Sequence, residues 1–252
     1  MTALARRAIS LLDLTELGDH ATSDDVTRLC DRAVGPHGTV AAVCVWPRHV
    51  AHAVQRLAGT GVRVATVVNF PSGDEDAAAV VAQAQRALSD GADEIDLVLP
   101  YRAVIGGEPA RAGAMVDAVR AAVPRGRHTL KVILETGELV DPTLIDAAAV
   151  LAVAHGADFI KTSTGKTAVS ATLDATAIML RVIHDAGRPV GLKPSGGIRT
   201  LADAQQYLEQ ADAVMGAGWA TPQTFRFGAS GLLTALEAAC EGDPTAEAGG
   251  PY

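Results

Sequence analysis

The sequence predicts an α/β fold of the (β/α)8 TIM-barrel class, with an extra helical segment at the amino terminus. The chain has 252 residues, and barrels of this class need about 250. Short runs rich in Val, Ile and Leu alternate with alanine-rich helical runs, without a break in composition that would separate two domains. The turn Gly-Ala-Asp precedes two predicted strands, at Gly91 and Gly156, as expected for equivalent units.

The first part of the chain is predicted to be helical. Apolar residues recur at helical spacing between residues 3 and 17, and the sequence Thr-Ser-Asp-Asp at residues 22–25 is typical of a helix N-cap. A second helix is therefore expected at residues 24–33. The first β/α unit follows, with a strand at residues 40–45 and a helix at residues 48–58.

The same alternation continues to residue 240. Further strands are predicted at residues 62–68, 91–99, 130–134, 157–161, 190–193, 211–215 and 224–227. Helices are predicted at residues 74–89, 109–122, 141–155, 174–186, 200–208 and 231–240. We therefore expect residues 1–240 to form one barrel domain, and residues 241–252, rich in Gly, Pro, Ala and Glu, to form a flexible tail.

The composition argues against several classes of function. Hydrophobic residues make up 48% of the chain and aromatic residues only 4%, which suits strands buried on both faces. The net charge is −8 and no run is rich in Lys and Arg, so we expect no nucleic-acid partner. No apolar run approaches the length of about 18 residues that a membrane span needs, so we expect no membrane partner either.

The cysteines and histidines do not indicate a metal site. The three cysteines, Cys30, Cys44 and Cys240, are far apart, and the seven histidines show no ligand spacing. We therefore expect reduced thiols in a cytoplasmic protein, with no metal and no other cofactor.

Charged residues in four neighbouring strands indicate where the chemistry lies. Side chains alternate along a strand, so Asp96 should point into the barrel, where its carboxylate needs a cation. The following strands carry inward lysines at Lys131, Lys161 and Lys193. Structural ion pairs are the expected role for Lys131 and Glu135. Lys161 and Lys193 lie at the carboxyl ends of their strands, which form the face where barrel enzymes act.

Two close lysines favour one kind of catalysis. Each cation disfavours protonation of the other, so one amine can be neutral near pH 7 and attack a carbonyl carbon. The resulting iminium accepts electrons when a neighbouring carbon–carbon bond breaks. We predict Lys161 as this nucleophile and Asp96 as the proton carrier. The alternative is that Lys161 caps its strand and extends its ammonium group to water, as single lysines commonly do.

Glycine-bearing loops after three predicted strands are candidates for a phosphate site, because backbone amides in such loops bind anions. These loops contain Gly165, then Gly196 and Gly197, and finally Ser230. Glycine at helix termini also has a purely conformational explanation. No nucleotide-binding glycine motif is present.

The motifs that carry these residues resemble those of the deoxyribose-phosphate aldolase family, which are class I, Schiff-base aldolases. The most specific motifs are EIDLVLPYR at residues 94–102, LKVILETGE at 130–138, FIKTSTGK at 159–166 and GLKPSGGIR at 191–199. The resemblance extends over nearly the whole chain. It implies a TIM-barrel lyase that works without a metal.

The resemblance also implies roles for individual residues. Lys161 would form the Schiff base, Lys193 would disfavour its protonation, and Asp96 would relay protons. The implied reaction is the reversible cleavage of 2-deoxy-D-ribose 5-phosphate to D-glyceraldehyde 3-phosphate and acetaldehyde. The residues implied to contact the substrate or its phosphate are Asp13, Thr15, Lys166, Gly165, Gly196, Gly197 and Ser230.

The last residue and two departures from the family pattern complete these expectations. One branch of the family ends in a tyrosine that enters the site and assists proton transfer, a role expected here for Tyr252; a disordered end is the alternative. Ser195 stands where many members have alanine. Gly231 stands where a second serine is common, so a side-chain hydroxyl that the resemblance would place near the phosphate is absent, and the backbone amide remains for that contact.

Two other functions stay open at this point. One is a Schiff-base aldolase for another aldehyde, and the other is a non-catalytic barrel that binds a sugar phosphate. Loss of Lys161, Lys193 or Asp96 would favour the second, and all three are present. The expected partner is a small phosphorylated sugar. The sequence leaves the oligomeric state open, with a homodimer as one alternative.

Overall fold

Eight short parallel strands surround a common interior in the computed structural model, which describes residues 1–247. The strands are β1 (Leu12–Glu16), β2 (Ala42–Val45), β3 (Arg63–Val68), β4 (Glu94–Val98), β5 (Thr129–Ile133), β6 (Phe159–Lys161), β7 (Gly191–Lys193) and β8 (Phe227–Ala229). Each strand from β1 to β6 pairs with the next along the chain, and β8 pairs with β1. Bridges from Leu192 to Phe225 and from Ser195 to Gly228 link the β7 side to the β8 side, so the barrel is nearly closed.

Helices connect the strands on the outside of the barrel. They are α1 (Thr2–Ser10), α2 (Ser23–Arg32), α3 (Val50–Arg56), α4 (Ala77–Ser89), α5 (Tyr101–Ile105), α6 (Pro109–Ala122), α7 (Thr136–Leu139), α8 (Pro142–Ala154), α9 (Leu173–Asp185), α10 (Leu201–Met215) and α11 (Leu232–Glu241). Thr22, Thr172 and Thr200 cap α2, α9 and α10 by accepting a backbone N–H bond in the first turn, which confirms the N-cap predicted at residues 22–25.

The predicted TIM-barrel class is confirmed, but one of its strands was predicted in the wrong place. Residues 211–215 are the last turns of α10 and not a strand. Leu201, Ala204, Leu208 and Ala211 are buried at helical spacing, and the helix ends only at Gly216, which has a φ of 93°. Ala211 and Asp212 therefore continue the helix and do not introduce a strand.

The missing strand is β1, in a segment that was expected to be helical. Helix α1 ends at Ser10, and β1 begins at Leu12. Leu12 and Leu14 belong to the main apolar core, whereas Asp13 carries its charge into the barrel interior. This alternation has a period of two residues and overrides the helical spacing of the preceding segment.

The other predicted strands are confirmed with small shifts. Six of them begin and end within three residues of the predicted bounds. The strand predicted at 224–227 lies at Phe227–Ala229. Gly91 and Gly156 follow α4 and α8 with φ values of 100° and 103°, which a side chain would resist. The predicted role of these two glycines at helix ends is therefore confirmed.

The apolar core lies mainly between the sheet and the surrounding helices. Ile95, Leu97, Val132 and Ile160, on the outward faces of β4 to β6, are fully buried there. A smaller apolar cluster of Leu17, Cys44, Ala65 and Val67 fills the interior beside β2 and β3. The opposite side of the interior, along β4 to β8 and β1, carries buried charge instead.

Two further observations concern the membrane and thiol predictions. None of the helices between residues 1 and 247 is both long and apolar enough to cross a bilayer. All three cysteines are free thiols, and Cys30 and Cys44 are buried. The cytoplasmic location stays a prediction.

Candidate active site

The strand register brings the predicted site residues together inside the barrel. Asp96 on β4 lies opposite Lys131 on β5, and Lys161 on β6 lies opposite Lys193 on β7. Ile133, two residues beyond Lys131, is the β5 neighbour of Lys161. Lys161 and Lys193 therefore occupy a layer closer to the carboxyl end of the barrel than Asp96 and Lys131 do. All four side chains are buried.

Asp96 is the common partner of the three lysines. Its Oδ2 atom lies 3.1 Å from Lys161 Nζ and 2.8 Å from Lys193 Nζ, and its Oδ1 atom lies 2.8 Å from Lys131 Nζ. Burial alone would raise the pKa of Asp96, but the charges of these lysines outweigh burial and hold the pKa well below its usual range. The inward direction of Asp96 and its need for a cation are thus confirmed.

Two more carboxylates and an arginine extend this cluster. Asp13 Oδ2 lies 2.6 Å from Lys193 Nζ, and Asp13 Oδ1 lies 2.5 Å from Arg226 Nη1. Glu94 Oε2 lies 2.5 Å from Lys131 Nζ, and Glu94 Oε1 lies 3.0 Å from Arg226 Nη2. Each carboxylate also has a third, more distant cation: Asp13 Oδ2 lies 3.4 Å from Lys131 Nζ, and Glu94 Oε1 lies 3.8 Å from Nε of the partly exposed Arg63. The structural ion pair predicted for Lys131 is confirmed.

Arg226 has no place in the sequence-based prediction. It lies between Phe225 and Phe227, which are both fully buried, so its guanidinium must find partners inside the protein. Gly228 lies next along the same inward face of β8. A Cβ atom on Gly228 would lie 3.1 Å from Lys193 Cε and 2.0 Å from Ser195 Oγ, so the glycine leaves room for Lys193.

The lysine count is a signal that could have identified the lysines of this cluster. Only four of the 21 lysine and arginine residues are lysines. Three of them are Lys131, Lys161 and Lys193, and the fourth, Lys166, lies at the rim above them. Arginine does not lose its proton in proteins, whereas lysine can. The sequence uses arginine at every other Lys or Arg position, so the positions of its four lysines are candidates for a functional role.

A cavity of about 430 Å³ opens between the loops at the carboxyl ends of β1 and β6. Its walls are formed by Thr15, Glu16, Leu17, Gly18, Gly165, Lys166, Thr167 and Ser230. The structure thus gathers four of the predicted substrate contacts, Thr15, Gly165, Lys166 and Ser230. Lys166 Nζ lies 2.9 Å from Asp19 Oδ1. Asp13 does not line this cavity, because its carboxylate is buried beneath Thr15 against Lys193 and Arg226.

The loop after β7 lies beside the loop after β6. A Cβ atom on Gly196 would lie 3.7 Å from the Cα atom of Gly165 and 2.6 Å from Ser170 Oγ. Gly196 and Gly197 have φ values of 77° and 79°, which favour glycine. The amide of Gly196 donates a hydrogen bond to the carbonyl of Gly228, so Gly196 shapes the loop and its N–H is occupied.

Glu135 supports the loop after β6, and the ion pair predicted for it is wrong. Its carboxylate accepts hydrogen bonds from the amide and hydroxyl of Thr164 and from the hydroxyl of Thr167. Burial raises the pKa of Glu135, and these bonds oppose the effect. The residue has a φ of 56°, which directs its side chain toward the loop and away from Lys131.

Three further observations delimit the site. A groove of about 470 Å³ lies between α8 and α9, but its wall contains no lysine, so volume alone does not identify the site. Among residues 1–247, no group of three or more His, Cys, Asp or Glu side chains is placed to hold a metal ion. Tyr252 lies outside the described residues, so its role stays a prediction.

Comparison with known proteins gives consistent matches. The DeoC/LacD family of aldolases matches residues 7–237. The chain is 51% identical over 248 residues to deoxyribose-phosphate aldolase of Agrobacterium fabrum, a match that covers 98% of this chain and 95% of the relative. The matched segments include every residue of the charged cluster.

Solved structures give the same result for the fold. A Coccidioides immitis protein proposed to be a deoxyribose-phosphate aldolase superposes with a TM-score of 0.83 and 32% identity, over 93% of this chain and 86% of that one. A Toxoplasma gondii protein proposed to have the same activity gives a TM-score of 0.87 and 28% identity, over 95% and 97% of the two chains.

Proposed function

Because the chain belongs to the DeoC/LacD family of aldolases, which are lyases, we propose that it cleaves 2-deoxy-D-ribose 5-phosphate reversibly to D-glyceraldehyde 3-phosphate and acetaldehyde. The name of the Agrobacterium relative supports this substrate. The observation that carries the mechanism is the position of Lys161 Nζ, 3.1 Å from the Asp96 Oδ2 atom that Lys193 also contacts. The amine thus has a proton carrier beside it at the carboxyl end of the barrel.

The proposed reaction begins when the neutral amine of Lys161 attacks the aldehyde carbon C1 of the open-chain sugar. The carbinolamine loses water and becomes an iminium. The C2–C3 bond then breaks, its electrons move toward the iminium, and the C3 hydroxyl loses its proton, so glyceraldehyde 3-phosphate leaves and an enamine stays on Lys161. Protonation of the enamine at C2 and addition of water release acetaldehyde and restore the amine.

Asp96 is proposed to carry the protons in these steps. At rest it accepts hydrogen bonds from three lysines, which holds its pKa low. The iminium nitrogen of Lys161 still carries one hydrogen, which it can donate to Asp96. The carboxylate lies beside the reacting nitrogen and can take up and return the protons that these steps release and require.

The rim cavity is proposed to hold the phosphate end of the sugar. Its volume of about 430 Å³ is within the range usual for sites that bind small molecules. Lys166 supplies a cation, and Gly165 and Ser230 also line the cavity. No step of this scheme uses a metal ion, so we expect activity to persist in a chelator.

Trapping of the Schiff base tests the mechanism. Acetaldehyde with borohydride should add one reduced two-carbon group to Lys161, located by peptide mass spectrometry, and Lys161→Ala should abolish both labelling and cleavage. Lys166→Ala is the matched control, because it should lose affinity for the sugar phosphate but still form the adduct. Labelling at another residue, or cleavage by Lys161→Ala, would contradict the mechanism.

The alternative of another aldehyde substrate is tested with 2-deoxyribose. If the phosphate binds at the rim, removal of the phosphate should lower kcat/KM, and Lys166→Ala should lower it for the phosphorylated sugar only. An unphosphorylated aldehyde with a higher kcat/KM would overturn the proposed substrate and leave the Schiff base intact. Location in the cytoplasm and assembly as a homodimer stay predictions.

A further inference from the structure

Six buried side chains of alternating charge form a closed ring inside the barrel. Consecutive contacts are Asp96 to Lys131 at 2.8 Å, Lys131 to Glu94 at 2.5 Å, Glu94 to Arg226 at 3.0 Å, Arg226 to Asp13 at 2.5 Å, Asp13 to Lys193 at 2.6 Å and Lys193 back to Asp96 at 2.8 Å. We call these six residues the charge ring. It contains three carboxylates and three cations, so its net charge is zero.

Lys161 is a seventh charged group and lies outside this balance. Among the described residues its carboxylate partner is Asp96, through an Oδ2 atom that Lys193 approaches more closely. A protonated Lys161 would therefore add an uncompensated positive charge to an interior where it is 1% exposed. Such a charge is costly to bury, and the neutral amine avoids the cost.

The pKa directions within the ring agree with full ionisation. Burial would raise the pKa of Asp13 and Glu94, but their cationic neighbours lower both values below the usual range. Burial would likewise lower the pKa of Lys131 and Arg226, but the ring carboxylates raise both values. The alternating order thus keeps each of these groups charged.

Repulsion from Lys193 alone does not explain a neutral Lys161. Lys193 lies 2.6 Å from Asp13 and 2.8 Å from Asp96, so its charge is already compensated within the ring. Asp13 is in turn held by Arg226, and Asp96 by Lys131. The charge felt by Lys161 is therefore set by all six members, including those farthest from it.

Groups outside the charge ring also face Lys161. Cys44 on β2 has a thiol whose pKa burial raises to about 11, so it is neutral near pH 7. On β3, Ala65 and Val67 do not titrate. Glu135, at the end of β5, interacts electrostatically with Lys161, but burial raises its pKa and its carboxylate accepts hydrogen bonds from the amide and hydroxyl of Thr164 and the hydroxyl of Thr167.

We propose that Glu94, Lys131 and Arg226 are positioning residues for the aldolase reaction, because they complete a neutral charge ring and leave Lys161 as the one surplus cation, which rests as the free amine. This inference deepens the proposed function, since it depends on Lys161 as the nucleophile. It gives a catalytic consequence to residues at the amino end of the barrel interior, away from the substrate.

The charge state of Lys161 is directly measurable, because the chain has only four lysines. Protein labelled with ¹³C at lysine Cε and ¹⁵N at Nζ should give four side-chain NMR signals, and single substitutions of Lys161 and Lys166, which lie outside the ring, assign the signals of those two. At pH 7 we expect the Lys161 signal at the position of a neutral amine, and those of Lys131 and Lys193 at the positions of ammonium groups. A protonated Lys161 at pH 7 would overturn the inference, and this measurement needs no ring variant to fold.

Substitutions in the ring should move the titration of Lys161 in opposite directions. Arg226→Gln leaves the ring with a charge of −1, so the Lys161 midpoint should move to higher pH by about one unit. Glu94→Gln leaves a charge of +1, so the midpoint should move to lower pH. The double variant Glu94→Gln/Arg226→Gln restores zero charge and should return the midpoint close to that of the parent protein.

The pH at which kcat/KM rises should shift in the same directions as the Lys161 midpoint. Arg226→Gln should therefore recover activity only at more alkaline pH. Arg120→Gln is the matched control, because Arg120 pairs with Asp158 at 2.7 Å outside the ring. Arg120→Gln should lower the free energy of unfolding without moving the titration midpoint of Lys161. Unchanged midpoints in the ring variants, or shifts of one sign in both single variants, would overturn the inference. Shifts in the expected order without cleavage of the sugar phosphate would instead reject the proposed function.

Discussion

Asp96 contacts three lysine side chains, and these contacts depend on the register of three strand pairs. A shift of one residue in β4 would direct Asp96 toward the helices and Ile95 or Leu97 into the interior. The lysines on β5, β6 and β7 would then lack their common partner. The geometry at this single carboxylate is therefore specified by the apolar residues on the opposite face of β4.

Asp96→Asn should affect activity and stability together. The substitution removes the proton carrier and leaves the buried cations undercompensated, so we expect kcat/KM to fall by roughly 10²-fold or more. The free energy of unfolding should fall by about 3–5 kcal/mol, because one partner of a buried ion pair is lost. Steady-state kinetics and urea unfolding measure the two effects.

Asp158→Asn separates the two effects, because Asp158 pairs with Arg120 and has no contact with the charge ring. This control should lower stability and leave kcat/KM near that of the parent. Parental activity in Asp96→Asn would exclude Asp96 from proton transfer.

At the residue scale, the alternation of side chains was sufficient to place Asp96, Lys161 and Lys193 in one interior. It was not sufficient for Arg226, because β8 begins three residues later than the predicted strand and the inward face could not be fixed without the pairing to β1. The hydrogen bonds of Glu135 could not be predicted from the sequence either. They depend on the left-handed backbone conformation of Glu135, with a φ of 56°, and on the fold of the loop that contains Thr164 and Thr167.

At the scale of elements, the loops after β6 and β7 have to fit against each other. Gly196→Ala should disturb this fit, because its Cβ atom would lie 2.6 Å from Ser170 Oγ in a residue with a φ of 77°. We expect a higher KM for the sugar phosphate, with kcat less affected. Steady-state kinetics with the phosphorylated sugar measures this difference.

Gly187→Ala is the matched control for backbone conformation. Gly187 has a φ of 65°, but a Cβ atom there would meet nothing within 4 Å. It lies between α9 and β7, away from the rim. This variant should cost about 1 kcal/mol of stability and leave KM unchanged. Equal effects of the two substitutions on KM would show that the contact with Ser170 is irrelevant to binding.

The two errors in predicting elements have the same physical origin. Residues 12–16 and 211–215 are both short and contain both apolar and acidic residues, so local pattern alone does not choose between helix and strand. Tertiary pairing decides: residues 12–16 lie between β8 and β2, whereas residues 211–215 extend a helix that Thr200 has already capped. Longer segments such as β3 and α4 were predictable because their patterns are unambiguous.

At the scale of the whole molecule, the charge ring should make stability depend on acid pH. Asp13, Glu94 and Asp96 have lowered pKa values in the folded protein, because their cationic neighbours outweigh burial. Their stabilisation is therefore present above about pH 4, where carboxylates of an unfolded chain titrate, and is lost as pH falls through the lower native values. We expect the free energy of unfolding to fall as pH drops below about 4.

Urea unfolding at several pH values between 7 and 2 measures this dependence. The slope of the unfolding free energy against pH gives the number of protons taken up on unfolding. The variant Glu94→Gln/Arg226→Gln keeps the ring neutral with one carboxylate fewer, so its uptake should be lower by about one proton. Glu135 acts in the opposite direction, because its pKa is raised by burial, and its contribution is lost as pH rises through that raised value. An identical pH dependence in parent and variant would show that the ring does not control acid stability.

The confinement of lysine to the site also determines how the protein responds to amine-directed reagents. Apart from a terminal amine, Lys166 is the one lysine with an accessible side chain, at 29% exposure, and it lies on the wall of the rim cavity. Coupling to a solid support through side-chain amines would therefore attach the protein at Lys166 and block access to the rim cavity. Attachment through surface carboxylates, which are abundant in a chain with 29 acidic residues, would leave the cavity open.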